Sequence, residues 1–332
     1  MPLLEIRNLT LEFGSGADAA RAVDDVSLAV DSGETVCLVG ESGSGKSVTA
    51  LSIARLVPTP PARYLGGEIW LEGRDVLRLT PRELRRIRGG VASYVFQEPS
   101  ASLNPVFRAG AQIKEAIQLH RPAEATDAEV MRLLRLVGIP APESRLRDYP
   151  HQMSGGMQQR VMIAMAIASQ PKLLVADEPT TALDVTIQAQ ILDLLRELKR
   201  HLGMSILLIT HNLGIVGDLA DRVAVMYAGQ IVELAPTRAL LQQPLHPYTQ
   251  ALLQSVPNLG GDAARLTAIP GSVPQIGSLP SGCRFYPRCC LAQADCSQRA
   301  PELVETEPGR WVRCPYWNVH CQPPIARRPC RA

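Results

Sequence analysis

The stretch Gly40-Glu41-Ser42-Gly43-Ser44-Gly45-Lys46-Ser47 decides the fold of this chain. It matches the pattern G-x-x-x-x-G-K-[ST], in which backbone N–H groups close around phosphate oxygens and glycines permit the tight turn. The lysine of this pattern reaches the β- and γ-phosphates of a nucleotide, and the hydroxyl of Ser47 can bind Mg²⁺. The stretch therefore predicts a phosphate-binding loop, against the alternative of a flexible Gly/Ser loop.

The flanking sequence favours phosphate binding. Thr35 to Val39 is predicted to be a buried strand, and Val48 to Leu56 is predicted to be a helix. This order places bound phosphates at a helix N-terminus, where free N–H groups and the helix dipole favour anions.

Composition and charge set broader limits. The chain has 332 residues, of which 46% are apolar, so it can bury a large core. A net charge of +2 argues neither for nor against nucleic acid. The longest apolar run, Val161 to Ala168, is too short to span a bilayer, and the N-terminus lacks a signal-peptide layout. We therefore expect a soluble, cytoplasmic chain that can still dock onto a membrane protein.

Polar side chains follow three further predicted strands. The aliphatic run that begins at Lys172 ends in Asp177 and Glu178, as expected of a buried parallel strand that leads into a site. Asp177 can hold Mg²⁺, and Glu178 can position or deprotonate an attacking water. Gln97 and His211 each follow a predicted strand as well, but either residue alone is more often structural.

Further predicted elements lie before and after the phosphate loop. Leu4 to Phe13 and Val26 to Val30 are predicted to be antiparallel strands, and Phe13 is placed to stack on an adenine ring or simply to pack in the core. From Glu98 to about Leu146 helical spacing replaces strand patterns, which indicates a helical insertion.

Ser154, with Gly155 and Gly156 after it, is predicted to cap a helix and is a second potential phosphate site. Thr186 is predicted to cap a helix that runs through His201.

Together, these motifs resemble the nucleotide-binding subunit of an ATP-binding-cassette (ABC) transporter. The segments that carry the resemblance, in chain order, are Gly40 to Ser47, Gln97, Ser154 to Arg160, Leu173 to Thr180, Ala182-Leu183-Asp184 and Thr210-His211-Asn212. The resemblance implies an α/β phosphate-loop NTPase of the ABC ATPase type, with an antiparallel β subdomain, a helical subdomain and a small irregular C-terminal extension. The implied boundaries are 1–245 for the nucleotide-binding domain, about 98–168 for the helical subdomain and 246–332 for the extension.

The resemblance also implies a role for each site residue. Phe13 would stack on adenine, and Gly40, Glu41, Ser42, Gly43, Ser44, Gly45, Lys46 and Ser47 would wrap the phosphates. Ser47, Gln97 and Asp177 would serve Mg²⁺, while Glu178, His211 and Gln97 would act on the attacking water and the γ-phosphate. Ser154, Gly155, Gly156 and Asp184 would complete the site of an opposite subunit.

Finer matches point to the dipeptide and oligopeptide importer ATPases. Met153 and Met157 depart from the general ABC pattern, and the run from Tyr149 to Met157 is similar to this subfamily, as is the run from His246 to Leu253. The implied function is ATP hydrolysis that energises import of dipeptides or oligopeptides across the cytoplasmic membrane. Nickel or another solute remains an alternative, and a soluble ABC ATPase of DNA repair or translation is a further one.

The implied partners are two transmembrane permease subunits, a second ATPase subunit in a head-to-tail sandwich and, indirectly, a solute-binding protein, with no nucleic acid. The implied location is peripheral, on the cytoplasmic face of the membrane.

Seven of the eight cysteines lie near the C-terminus, where the sequence is rich in Pro and Gly. The spacing Cys283-x5-Cys289-x6-Cys296-x17-Cys314 could supply four thiolates for zinc or an iron–sulfur cluster, and the alternative is reduced free thiols in a loop. By resemblance to the dipeptide importer ATPases these four are similar to the ligands of a [4Fe–4S] cluster. Cys290, Cys321 and Cys330 fall outside the set.

Overall fold

The protein is described here from a computed structural model, which covers residues 1–16, 19–181, 183–217, 219–255 and 269–319. Ala182, Cys321 and Cys330 of the sequence analysis lie outside these described residues. Across the described ranges, none of the helices combines the length and the apolar character needed to cross a bilayer.

The first sheet is antiparallel and contains the predicted N-terminal strands. Its strand order is β2-β1-β4-β5, and Phe13 at the end of β1 pairs with Ala20 at the start of β2. Because the strands alternate buried and partly exposed residues, one face packs into the core and the other meets solvent. The bounds are β1 Leu4–Phe13, β2 Ala20–Val30, β4 Ala62–Leu71 and β5 Arg74–Asp75.

The second sheet has eight strands and a parallel centre. The central strands are nearly continuous apolar runs, as expected of strands covered on both faces. The parallel strands lie in the order β9-β3-β8-β7-β6, and the sheet continues beyond β9 through the antiparallel strands β10, β12 and β11. The bounds are β3 Thr35–Val39, β6 Ala92–Val95, β7 Leu173–Asp177, β8 Ser205–Thr210, β9 Arg222–Tyr227, β10 Gln230–Pro236, β11 Val304–Glu307 and β12 Arg310–Val312.

The helices cover this sheet and form the insertion between β6 and β7. Alternate residues of β3 face two cores: Val36 and Leu38 face the antiparallel sheet, while Cys37 and Val39 face the helical insertion. The bounds are α1 Lys46–Ser52, α2 Pro81–Ile87, α3 Pro99–Ser102, α4 Ala109–His120, α5 Asp127–Leu136, α6 Pro142–Arg145, α7 Gly155–Ile167, α8 Val185–Leu202, α9 Thr237–Gln242 and α10 Pro247–Gln254.

One prediction about local structure is wrong. Helix α8 is capped by Asp184 and not by Thr186, because the Asp184 carboxylate accepts a hydrogen bond of 2.9 Å from the backbone N–H of Ile187. Within the irregular C-terminal extension, the short strands β11 and β12 form a hairpin that pairs with β10.

The parallel centre of the second sheet determines where the site lies. The carboxyl ends of β3, β6, β7 and β8 meet at one edge, because neighbouring strands in this part of the sheet run in the same direction. Polar groups that follow these strands are thereby brought together, as at the ligand-binding edge of other open α/β sheets.

Candidate nucleotide-binding site

The phosphate loop follows β3 and leads directly into α1. Gly45 has a φ of 102°, and a Cβ atom added to it would lie 2.6 Å from the carbonyl oxygen of Ala22. A Cβ atom on Gly40 would lie 2.1 Å from the carbonyl oxygen of Met226. Both positions therefore require glycine, and the loop can adopt this conformation only with its motif residues in place.

Lys46 lies buried beneath the loop. Its Nζ donates hydrogen bonds to the carbonyl oxygens of Gly40 at 2.8 Å and Glu41 at 2.9 Å. Burial lowers the pKa of Lys46, whereas the nearby charges of Glu178 and Asp177 act in the opposite direction. The lysine therefore lies near the carboxylates at the end of β7, in the predicted site.

Glu178 is contacted by three polar side chains. Its carboxylate lies 3.1 Å from Nδ1 of His211, accepts a hydrogen bond of 2.8 Å from Oγ1 of Thr181, and accepts a weaker one of 3.3 Å from Nε2 of Gln97. Burial tends to raise the pKa of this carboxyl, but the hydrogen bonds from His211 and Thr181 outweigh it and the pKa is lowered. Glu178 is therefore ionised at neutral pH and able to accept a proton.

The backbone of Glu178 is unusual. Its φ of 47° lies in the left-handed region, which a residue other than glycine occupies at a cost on the order of 1–3 kcal/mol. The N–H of Glu178 is fixed by a hydrogen bond of 2.9 Å to the carbonyl oxygen of Ile209 in the neighbouring strand β8. The strand pairing thus supports a conformation that directs the carboxylate towards its three partners.

Asp177 provides a group suited to a cation. Its Oδ1 atom is buried without a hydrogen-bond partner. Burial raises the pKa of this carboxyl, a hydrogen bond from Ser47 lowers it, and the charge of Glu178 raises it. An oxygen donor beside a hydroxyl and a second carboxylate fits Mg²⁺, which prefers oxygen ligands and would neutralise the paired charges. Ser47, Asp177 and Gln97 are the residues that would hold it.

Most of the predicted site residues line one open cavity of about 810 Å³. Phe13 lines it, and so do residues of the phosphate loop together with Gln97, Glu178 and His211. Three residues beyond the phosphate-loop fold line it as well, namely Leu252, Ser255 and Ile269. The cavity therefore combines a phosphate loop, an ionised carboxylate and apolar walls.

The predicted residues of the second phosphate site lie elsewhere. Ser154 caps α7 by accepting a hydrogen bond from the N–H of Met157, and both Ser154 and Gly155 are exposed. Asp184 is likewise an exposed cap, on α8. None of Ser154, Gly155, Gly156 and Asp184 lines the cavity that the same chain forms around its phosphate loop.

The four cysteines of the extension are brought together. Cys283, Cys289, Cys296 and Cys314 line a second cavity, of about 290 Å³. Burial and the neighbouring thiols raise the pKa of Cys289 to about 11 and that of Cys314 to about 12. The described residues nevertheless include no group of three or more His, Cys, Asp or Glu side chains able to hold a single metal ion. The predicted metal site is therefore not supported as a single-ion site.

Three contacts at the site were not predicted from the sequence. Thr181 follows Glu178 closely, and its hydroxyl is the kind of partner that a carboxylate near a strand end often finds. Tyr248 accepts a hydrogen bond of 2.9 Å at its hydroxyl from the backbone N–H of Glu41. Arg288 donates two hydrogen bonds to the Glu41 carboxylate. Tyr248 and Arg288 are 207 and 247 residues from Glu41 in the sequence, so no local pattern could have indicated them.

Fold and site together define an ATPase of the ATP-binding-cassette class. A family described as ABC transporter matches residues 23–181, and one described as oligopeptide/dipeptide transporter, C-terminal region, matches residues 232–296. Among solved structures, the dimeric cassette MJ0796 in a post-hydrolysis state bound to ADP and Pi is similar, with a TM-score of 0.62 and 28% identity over 71% of this chain and 99% of that one.

Curated relatives match over nearly the whole length. The oligopeptide transport ATP-binding protein AppD of Bacillus subtilis is 49% identical, over 94% of this chain and 96% of that protein. A Brucella abortus protein named for peptide import and ATP binding is 50% identical, over 95% of each chain. The chain belongs to the ATP-binding subunits of ABC transporters, in the group that carries the oligopeptide/dipeptide transporter C-terminal region.

Proposed function

We propose that this ATPase energises the import of dipeptides or oligopeptides by a membrane transporter, working at the cytoplasmic face of the membrane. The observation that carries the ATPase chemistry is the ionised Glu178 carboxylate, which shares one cavity with the phosphate loop. The choice of peptides is supported by relatives about half identical over almost their full length, one named for peptide import and one for oligopeptide transport.

Different cavity residues would bind the phosphates, accept the proton and orient the water. The loop residues and Lys46 would bind the phosphates, while Glu178 would accept a proton from the attacking water. His211 and Gln97 contact Glu178 directly, so both are placed to orient the same water or to contact the γ-phosphate. Mg²⁺ bound with ATP would supply charge neutralisation next to Asp177 and Ser47.

A second copy or a paralogue of the chain would complete the site. Ser154 and Gly155 are exposed and lie outside their own chain's cavity, so they are free to approach the nucleotide of an opposing subunit. The similar cassette structure is itself described as dimeric. We propose that two such subunits close around two ATP molecules and that opening after hydrolysis drives two permease subunits, with a solute-binding protein delivering the solute. In this proposal residues 1–245 form the nucleotide-binding domain, residues 98–168 its permease-docking subdomain and residues 246–332 the extension.

Replacing Glu178 by glutamine tests the ATPase assignment. An amide cannot accept the proton of the water, and loss of a general base typically costs roughly 10²–10⁴-fold in rate. Glu178→Gln should therefore keep ATP binding and lose ATP turnover in the assembled transporter, measured by phosphate release. Turnover close to that of the unsubstituted protein would contradict the assignment.

We propose further that Cys283, Cys289, Cys296 and Cys314 hold a [4Fe–4S] cluster, with zinc as the alternative. The proposal is supported by the shared cavity and by the raised pKa values of its thiols, because burial and mutual proximity disfavour thiolates that a bound metal would neutralise. A single zinc ion needs all four sulfur atoms at about 2.3 Å from one point, whereas a cluster accepts sulfurs that are farther apart. In either form the metal would be structural, because the four thiols lie outside the nucleotide cavity.

Anaerobic purification separates these forms. A brown protein that contains iron and acid-labile sulfide supports the cluster, and a colourless protein with one zinc supports the alternative. A colourless, metal-free protein whose four thiols are all alkylated without denaturant would contradict both.

A further inference from the structure

The C-terminal extension contacts the phosphate loop through a partly buried ion pair. Arg288 immediately precedes Cys289, and its side chain is only 5% exposed. Its Nη1 and Nη2 atoms donate hydrogen bonds of 2.7 and 3.0 Å to the two carboxylate oxygens of Glu41, the second residue of the loop. Paired bonds of this kind fix both the distance and the orientation of the two planar groups. Arg288 of the extension is therefore in direct contact with a side chain of the nucleotide site.

The backbone of Glu41 is held as well. Its N–H donates a hydrogen bond of 2.9 Å to the hydroxyl of Tyr248, which belongs to α10. Its carbonyl oxygen accepts the bond from Nζ of Lys46. Glu41 is thus fixed at three points, and two of the three partners belong to the segment beyond residue 245.

Arg288 is itself rigidly placed. Its Nε donates a hydrogen bond of 2.8 Å to the carbonyl oxygen of Pro270, and its guanidinium lies 5.8 Å from the ring centre of Tyr227. Tyr227 packs against Tyr248 at 4.7 Å and against Phe285 at 5.2 Å between ring centres. This aromatic cluster fixes the guanidinium, so Glu41 is held by a group that has little freedom to move.

The charge of the pair also bears on ATP. Glu41 lines the nucleotide cavity, and an unpaired carboxylate there would repel the phosphates of ATP. Arg288 neutralises this carboxylate while keeping the loop in place. Leu252, Ser255 and Ile269 extend the contribution of the same C-terminal segment to the wall of the cavity.

We infer that Arg288 is a positioning residue for ATP: it holds and neutralises Glu41, so that nucleotide affinity depends on the C-terminal extension. The inference rests on ATP binding by the phosphate loop. It makes the extension a part of the nucleotide site, in addition to any structural purpose of its cysteines.

The test is equilibrium binding of a non-hydrolysable ATP analogue with Mg²⁺ to the purified full-length chain, measured by calorimetry. Arg288→Gln should weaken binding by about tenfold, the usual size of a lost charge-assisted hydrogen bond. Adding Glu41→Gln to this variant should recover most of the loss, because no unpaired carboxylate then faces the phosphates. Arg288→Lys keeps the charge without the paired hydrogen bonds, so its affinity should lie between those of Arg288→Gln and the unsubstituted chain. It also serves as the second variant if Arg288→Gln does not fold.

Arg310→Gln is the matched control. Arg310 is a buried arginine of the same extension, with a side chain 8% exposed, and it donates to the carbonyl oxygen of Gln243 and to Glu307. Its loss should perturb the extension to a similar degree while leaving analogue binding within about twofold of the unsubstituted chain.

Three results would overturn the inference: unchanged binding by Arg288→Gln, equal weakening by Arg310→Gln, or a further loss when Glu41→Gln is added. Each is distinct from failure of ATP binding by the phosphate loop, because only the latter leaves the unsubstituted chain unable to bind the analogue.

Discussion

The chemistry of the site depends on how Glu178 is held. His211, Thr181 and Gln97 surround its carboxylate, and the strand pairing with Ile209 supports its left-handed backbone. These contacts keep the carboxylate charged even though it is partly buried, which is the state that a general base requires. Each contact therefore affects both the position and the protonation of the same group.

The pH dependence of turnover should report one of these contacts. In the proposed mechanism Glu178 acts in its ionised form, so activity should be present above its pKa and should be lost as the pH falls through that value. Because the Thr181 hydroxyl helps to lower this pKa, Thr181→Val should raise it and move the acidic limb of the pH–rate profile to higher pH. The profile of ATP hydrolysis by the assembled transporter checks this. An acidic limb at the same pH in both proteins would show that Thr181 does not tune Glu178.

Short motifs made most of the site residues predictable. The phosphate loop is one continuous motif, and the two carboxylates at the end of β7 belong to another. The carboxyl ends of the parallel strands bring Gln97 and His211 to these motifs. Arg288 could not be predicted, because its partner is 247 residues away in the sequence and salt bridges leave no periodic pattern.

The N-termini of α7 and α8 carry the residues of the proposed second phosphate site. Helix α7 begins after Ser154, and its exposed N-terminus does not line the chain's own cavity. Its start was predictable, because Ser154 stands alone as a good cap before two glycines. The start of α8 was not, because Asp184 and Thr186 are both good caps and only the structure shows which one bonds the helix N-terminus.

Ser154→Arg should separate binding from turnover. Nucleotide affinity of the isolated subunit should be nearly unchanged, because Ser154 lies outside the cavity of its own chain. ATP turnover in the assembled transporter should collapse, because a bulky cation would occupy the cap that, in the proposed pair of subunits, completes the opposite site. Binding and phosphate release are measured on the same preparations.

Thr80→Arg controls for the loss of a helix cap. Thr80 is an exposed cap of α2, outside the proposed permease-docking subdomain, and it accepts a hydrogen bond of 3.4 Å from the N–H of Glu83, so its loss costs a similar amount, typically ~1 kcal/mol. Turnover should survive this substitution. An isolated Ser154→Arg subunit that hydrolyses ATP as fast as the unsubstituted complex would contradict the two-subunit site.

At the scale of the whole molecule, the C-terminal extension is integrated with the nucleotide-binding fold. Strand β12 joins the second sheet beside β10, and arginines next to three of the four cysteines reach back into the preceding fold. Arg284 pairs with Asp24, Arg288 with Glu41 and Arg313 with Asp25. The sequence indicated a cysteine-rich segment with little core of its own. It could not indicate this docking, which depends on contacts between residues far apart in the chain.

The central claim is that ATP hydrolysis by this subunit drives peptide import, and uptake into vesicles tests it most directly. Vesicles that contain the assembled transporter, with this subunit and Mg²⁺-ATP inside, are given the solute-binding protein and labelled peptides of two to five residues outside. We predict saturable accumulation of peptide with the unsubstituted subunit and none with Glu178→Gln. Equal accumulation with both subunits, or accumulation of nickel and of no peptide, would contradict the account.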